Sequence, residues 1–205
     1  VGLKHFYHLY AGGDWTTAAS AHFDIAEQAG LLQACDTYVG IVGKDRDPAI
    51  AWLGDRATII AEADTGWEQV TLTAMLDAIQ PGDLVCYAHT KGAGYPSDLA
   101  TVWRHSMTYD VICHWRERVQ DLQQYQASGP YWLKSDEPEH RHHRHIFAGN
   151  FWWARADYLL TLDPPLQETR YQAEGWIGLN DPTVACCRPG YSYWGNFYRG
   201  DLTWA

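Results

Sequence analysis

The run Leu84-Val-Cys-Tyr-Ala88, entered through Pro81-Gly82-Asp83, is apolar at every position. A strand formed there must be covered on both faces, which places it inside a parallel sheet flanked by helices rather than in a half-solvated one. The residues before it fit that demand. His5 to Tyr10 reads as a first strand ending at Ala11-Gly12-Gly13, and Asp14 is placed to cap a helix from Trp15 to Leu32. Thr37 to Val42 reads as a second strand and Thr58 to Ala61 as a third, and Trp67 to Ile79 repeats apolar residues at helical spacing. Strand–helix alternation of this kind needs right-handed crossovers, so the chain is expected to be α/β with a mostly parallel sheet.

The second half is less regular. Ser97, after Pro96, is positioned to cap one long helix reaching Gln124, and a charged loop runs from Lys134 to Arg144. Phe151-Trp152-Trp153 either begins an amphipathic helix through Tyr158-Leu159-Leu160 or lines a binding surface. Beyond Asn180 the chain is rich in Pro, Gly and Tyr and is expected to wrap over the core. The 205 residues suit a single domain: a nucleotide-binding half over about 1–95, a sugar and acceptor half over about 96–180, and a wrap over 181–205.

Composition narrows the function classes. Asp and Glu number 25 against 15 Lys and Arg, which argues against non-specific affinity for nucleic acid. The five cysteines have no paired spacing, as in a reducing compartment, and no apolar stretch approaches a membrane span or a secretion leader. A cytoplasmic location is expected. With 11 Trp and 13 Tyr at a mean hydropathy of -0.37, aromatic rings are expected in pockets as well as in the core.

Ligands of parallel sheets sit beyond the carboxyl ends of the strands, which nominates Ala11 to Asp14, Gly40 to Lys44 and His89 to Gly94. In His89-Thr-Lys-Gly92 a lysine and a histidine stand beside small residues, a set able to surround a diphosphate with donors. Neither G-x-x-x-x-G-K-[ST] nor G-x-G-x-x-G occurs, so this is no conventional nucleotide loop. Trp103-Arg104 can fold a second cation onto the same turn. Gly149-Asn150 leading into Trp152-Trp153, with Glu174 and Trp176 downstream, reads as a polyol-binding wall with a nearby carboxylate.

These motifs in order, from the strand ending in Gly12-Gly13 through Glu68-x-x-Thr71-Leu72, Tyr87-Ala-His-Thr-Lys-Gly92, Trp103-Arg104 and Gly149-Asn-Phe-Trp-Trp153 to Glu174-x-Trp176, resemble a group of small bacterial and phage-borne glycosyltransferase-like proteins. The resemblance spans roughly residues 4–178. It implies the single-domain, Rossmann-like GT-A fold and a nucleoside-diphosphate sugar donor, UDP-type by preference. It implies that Tyr10, Ala11, Gly12, Glu68 and Thr71 hold the nucleoside and that His89, Lys91 and Arg104 bear on the diphosphate. Gly149, Asn150, Trp152, Trp153 and Trp176 then line the sugar or acceptor site, and Glu174 is the general base of an inverting reaction. The acceptor is a glycan, a protein side chain or a modified nucleobase. Such enzymes carry Asp-x-Asp after the buried strand to hold Mn or Mg, where this chain has His89-Thr-Lys91. That leaves His89 as a possible metal ligand or Lys91 as a partial substitute for the cation.

A literal Asp-x-Asp stands at Asp45-Arg-Asp47, in a stretch that reads as a solvated charged loop. His140-Arg-His-His-Arg-His145 interleaves arginines that repel a cation, which favours a cationic loop over a zinc site. Two rival functions remain. One is a non-catalytic carbohydrate-binding or virion-associated module using the same aromatics, and the other a metal-dependent hydrolase built on the His-rich loop with Asp45 and Asp47. Only the transferase requires a nucleotide near His89 and Lys91.

Overall fold

The computed structural model describes residues 2–134 and 145–189. Seven strands form one sheet in the order β3-β2-β1-β4-β8-β5-β9. Strands β1 (Leu3–Tyr10), β2 (Asp36–Val42), β3 (Thr58–Ala63) and β4 (Leu84–His89) make the parallel half. Strand β8 (Trp152–Arg155) runs antiparallel to both β4 and β5 (Ala127–Gly129), and β9 (Val184–Cys186) is parallel to β5. A short ribbon, β6 (Trp132–Lys134) with β7 (His145–Phe147), stands apart. The expected α/β architecture, a mostly parallel sheet flanked by helices, is the one observed.

Alternation along β1 supplies both cores. Phe6 faces α4 (Gln69–Ala78) and α8 (Tyr171–Trp176) among Leu72, Met75, Tyr87, Trp152 and Trp176. Tyr7 and Leu9 face the other layer, among Phe23 of α1 (Trp15–Gln28), Trp103 and Met107 of α5 (Asp98–Thr108) and Trp115 of α6 (Trp115–Asp121). Adjacent residues of a strand point to opposite faces, so Trp152 joins the first cluster and Trp153 the second.

Several local expectations are revised. The first helix stops at Gln28 because Gly30 turns left-handed at φ 72, and a separate turn, α2 (Leu31–Ala34), follows. Ser97 does cap α5, its Oγ accepting from Ala100 N at 3.1 Å, but the helix is not continuous to Gln124. A π-turn over Tyr109–Cys113 interrupts it, and there the Val111 carbonyl accepts from the Trp153 indole at 2.9 Å. The Asp45–Asp47 stretch is not a loop: it opens helix α3 (Arg46–Leu53), with Asp47 in the first turn. Phe151-Trp152-Trp153 enters a strand, and the short helix α7 (Ala156–Leu159) begins only after it. Past Asn180, β9 adds an edge strand to the sheet, while 190–205 lie outside the described residues.

Three histidines are sealed in the parallel half. His5 and His22 face each other Nε2 to Nε2 at 3.0 Å, with Tyr7 stacked on His22 at 4.3 Å. Burial holds His5 down to about 3 and His8 to about 4 from 6.5, and His22 well below that value. Because these folded-state values are depressed, the unfolded chain binds more protons below pH 6.5, so stability is full above that pH and lost as pH falls towards 4. Each histidine contributes up to about 1.4 kcal/mol per pH unit across that window. Urea midpoints should be level from pH 8 to 6.5 and drop steeply from 6 to 4.5. Level midpoints down to 4.5 would contradict this assignment.

Candidate functional site

Strand ends β1, β2 and β4 converge on one rim, and their loops are locked together. Asp14 N donates to Ala93 O at 3.0 Å and Asp45 N donates to Ala11 O at 3.0 Å. Gly13, at φ 62, lies so close to the Ala93 carbonyl that any Cβ would collide with it. Tyr10, 40% exposed, lies beside Gly12 and Gly94 at the mouth of this rim.

The chemistry gathers around Glu68, at the N-terminal end of α4. Its Oε2 accepts from Tyr87 OH at 3.0 Å and from Asn150 Nδ2 at 2.6 Å. Its Oε1 lies 3.6 Å from His89 Nδ1, and His89 Nε2 donates to the Gly149 carbonyl at 2.9 Å. Asn150, held left-handed at φ 58, also takes the Trp152 indole N–H on its Oδ1 at 2.8 Å. Glu174 lies on α8, half-buried and near enough to His89 to favour its charged form. Burial first, then Lys91, nevertheless pushes His89 down to about 3.

The cations sit on the α5 side of this cluster. Lys91 Nζ is 4.1 Å above the Trp103 ring. Arg104, 7% exposed, donates through Nη1 to Lys91 O at 2.6 Å, and its Nε has no hydrogen-bond partner among the described residues. Among the described residues no carboxylate lies within 4.0 Å of either cation. A buried guanidinium is costly unless paired, so the arrangement favours an anion.

Two solved structures share this architecture. The 4-diphosphocytidyl-2C-methyl-D-erythritol synthase of Anaerococcus prevotii aligns with a TM-score of 0.53 at 10% identity, over 93% of this chain and 91% of that one. A CMP:2-keto-3-deoxy-manno-octonic acid synthetase complexed with CTP aligns with a TM-score of 0.50 at 9% identity, over 92% and 90%. The chain has their fold. No protein-family model and no curated protein sequence matches it.

The sequence-derived site divides into two sets. Glu68, His89, Lys91, Arg104, Gly149, Asn150 and Glu174 are brought together, and Tyr10, Ala11 and Gly12 lie on the neighbouring rim. Thr71 is fully buried, its hydroxyl 2.7 Å from His8 Nδ1, so it faces no ligand. Trp152, Trp153 and Trp176 are core residues, 0%, 0% and 1% exposed, with every indole N–H bonded within the protein. They form no stacking wall, because a strand between two helical layers buries both of its faces. His89 Nε2 is taken by the Gly149 carbonyl while Nδ1 faces Glu68 at 3.6 Å, and among the described residues no three His, Cys, Asp or Glu side chains converge as a metal site requires. Asp45 and Asp47, at the start of α3, belong to no such group. Among the described residues the donor set therefore does not fit a divalent cation held by protein side chains alone. Of the His-rich loop, 140–144 lie outside the described residues, and His145 pairs with Asp181 at 3.2 Å.

Sequence reasoning missed a cavity of about 450 Å³ lined by Thr65, Gly66, Trp67, Gln69, Val70 and Gln167. It adjoins Glu68, carries no charged side chain, and presents Trp67 45% exposed. A tryptophan just before a helix, flanked by Gly and polar residues, was its only signal.

Gly149 is indispensable to the site's shape. At φ 92 it packs so tightly on Met107 and Trp103 that a Cβ would strike the Met107 sulfur. Gly149→Ala should cost about 1–3 kcal/mol of overpacking on top of backbone strain. Gly54→Ala is the control, since Gly54 has φ 56 and nothing within 4 Å of its Cβ position. Urea denaturation of both variants reads the difference; equal losses would refute the packing argument.

Proposed function

We propose that this protein is a transferase that moves a sugar from a nucleoside-diphosphate sugar, of UDP type, to an acceptor hydroxyl on a glycan, protein side chain or modified nucleobase. The observation that carries the reading is the pair Arg104 and Lys91, two cations without a counter-ion among the described residues, at the carboxyl end of a buried strand. A diphosphate supplies the missing charge and meets charge-assisted donors. The cavity beside Trp67 receives the nucleoside, with the indole as a stacking face. Three strand spacings separate the tips of β3 and β4, about 14 Å, comparable to an extended nucleoside diphosphate. A synthetase of this fold is complexed with CTP, which supports a nucleotide as ligand, and ligands of parallel sheets sit beyond the carboxyl ends of the strands.

In the reaction, Glu174 takes the acceptor hydroxyl proton as the oxygen bonds to the anomeric carbon. The bond from that carbon to the phosphate oxygen breaks, and its electron pair leaves with the nucleoside diphosphate. Lys91 and Arg104 offset the charge that grows on the departing phosphate. Asn150, buried with its amide bonded to Glu68, Ala173 O and Trp152, meets no sugar itself and holds Glu68 in place. A second reading, nucleotidyl transfer, is favoured by that same CTP complex; it releases pyrophosphate rather than a nucleoside diphosphate. A carbohydrate-binding module would bind glycan and no nucleotide.

Calorimetric titration with UDP, CDP, GDP and ADP should show binding of at least one, and binding of none would sink the transferase reading. For the nucleotide that binds, Lys91→Ala should weaken the diphosphate by roughly 1.5–3 kcal/mol while leaving the free nucleoside unaffected.

Glu174→Gln should lower turnover of the nucleotide sugar by about 10²- to 10⁴-fold with donor affinity retained. Near-normal turnover removes Glu174 from the mechanism, and loss of donor affinity as well makes it a donor contact.

A further inference from the structure

We propose that Gln167 reads the polar edge of a nucleobase in the cavity beside Trp67, and that its amide takes uracil and cytosine alike. This assignment rests on the transferase reading and names what selects the nucleotide there. Every side chain lining the cavity is uncharged, so its walls suit a neutral heterocycle and leave a phosphate without a counter-charge. Trp67 supplies a half-exposed face for stacking. A stacked ring still needs partners for its edge. Gln69 cannot serve, because its Nε2 already donates to the carbonyls of Leu166 at 3.1 Å and Thr169 at 2.6 Å. Two carbonyl acceptors also fix which way that amide points. Thr65 brings one hydroxyl. Among the lining side chains only Gln167 is exposed and brings a donor and an acceptor side by side, and among the described residues neither is hydrogen-bonded.

The backbone that carries Gln167 is held from two sides. Gln69 on α4 takes the carbonyls on either side of it, and Gln172 on α8 accepts from Glu168 N at 2.9 Å and Thr169 N at 3.0 Å through one Oε1. Gln172 Nε2 also donates to Glu168 Oε2 at 3.1 Å, which ties the neighbouring carboxylate to α8. A segment fixed before its ligand arrives loses less entropy on binding. The side chain itself stays free to turn. A primary amide pairs with any donor that stands next to an acceptor, such as N3–H beside O4 in uracil or the N4 amino group beside N3 in cytosine. Half a turn about its last bond exchanges the oxygen for the nitrogen. Gln167 therefore demands a paired edge but not one order of donor and acceptor.

The test is a calorimetric titration of wild type and Gln167→Ala with UDP, CDP and N3-methyl-UDP, in which a methyl group replaces the donor of the uracil edge. Gln167 is exposed and its amide holds no other residue, so the variant keeps the fold. Wild type should bind UDP and CDP within about tenfold of one another, and N3-methyl-UDP about three- to tenfold more weakly than UDP, the worth of one neutral hydrogen bond. In Gln167→Ala the affinity for UDP should fall by about three- to tenfold, and the penalty for the methyl group should vanish, because the bond it blocks is already gone. An unchanged affinity for UDP overturns the proposal, and so does a methyl penalty of equal size in both proteins. A gap between UDP and CDP of more than about tenfold is beyond one neutral hydrogen bond and overturns the indifference to order. Nucleotide binding that ignores Gln167 sinks this assignment alone, whereas absence of binding by every nucleotide in wild type sinks the transferase reading with it.

Discussion

The contact between Asn150 and Glu68 ties four elements into one site. Asn150 lies in the turn leading into β8 and Glu68 stands at the N-terminal end of α4; Tyr87 on β4 and the Ala173 carbonyl on α8 complete the set. Asn150 can fill this place because its backbone is left-handed, a conformation in which asparagine is favoured over most residues. Each acceptor and donor of its amide is used, so the side chain has one orientation. That orientation aims the Gly149 carbonyl at His89, and through His89 the geometry reaches Lys91 and Arg104. The site is thus positioned by a turn whose side chain is pinned on several sides, which holds a constellation in place.

What the sequence made legible follows from the range of the interactions involved. Strands β1 to β4 and the position of His89 to Gly92 were readable because apolar runs and Gly-Gly turns are local signals. The capping of α5 by Ser97 was readable for the same reason. The direction of β8 was not, because nothing within Phe151 to Ala154 says whether two flat aromatic residues face a ligand or two cores. Only the sheet order, with β8 between β4 and β5, buries both indoles. The roles of Glu68 and Thr71 were hidden likewise. Both lie at the start of α4, and pairing across layers with Tyr87, Asn150 and His8 turns them inward. The break at Tyr109–Cys113 reads as ordinary helix in sequence; it answers to the distant Trp153 indole.

Electrostatics give the site its polarity. On the α5 side stand the cations Lys91 and Arg104, with no carboxylate within 4.0 Å among the described residues, and on the α4 and α8 side stand the carboxylates Glu68 and Glu174. His89 lies between these halves. Phosphate is drawn to one wall and a hydroxyl proton to the other, which is the separation of tasks that group transfer from a phosphate leaving group demands.

Strand β8 lies between β4 and β5 in space but follows both along the chain. A chain emerging from the ribosome can complete β3-β2-β1-β4 once residues 3–89 are out, yet β4 then presents an unpaired edge. Strand β5 emerges next and has no neighbour to join until residues 152–155 arrive, since its partners are β8 and β9 alone. Closure of the sheet is therefore a late insertion of one short aromatic strand into a waiting slot. The residues that close it, Asn150 to Trp153, are the ones that order Glu68 and His89, so the chemistry assembles at the moment the fold is sealed and not before.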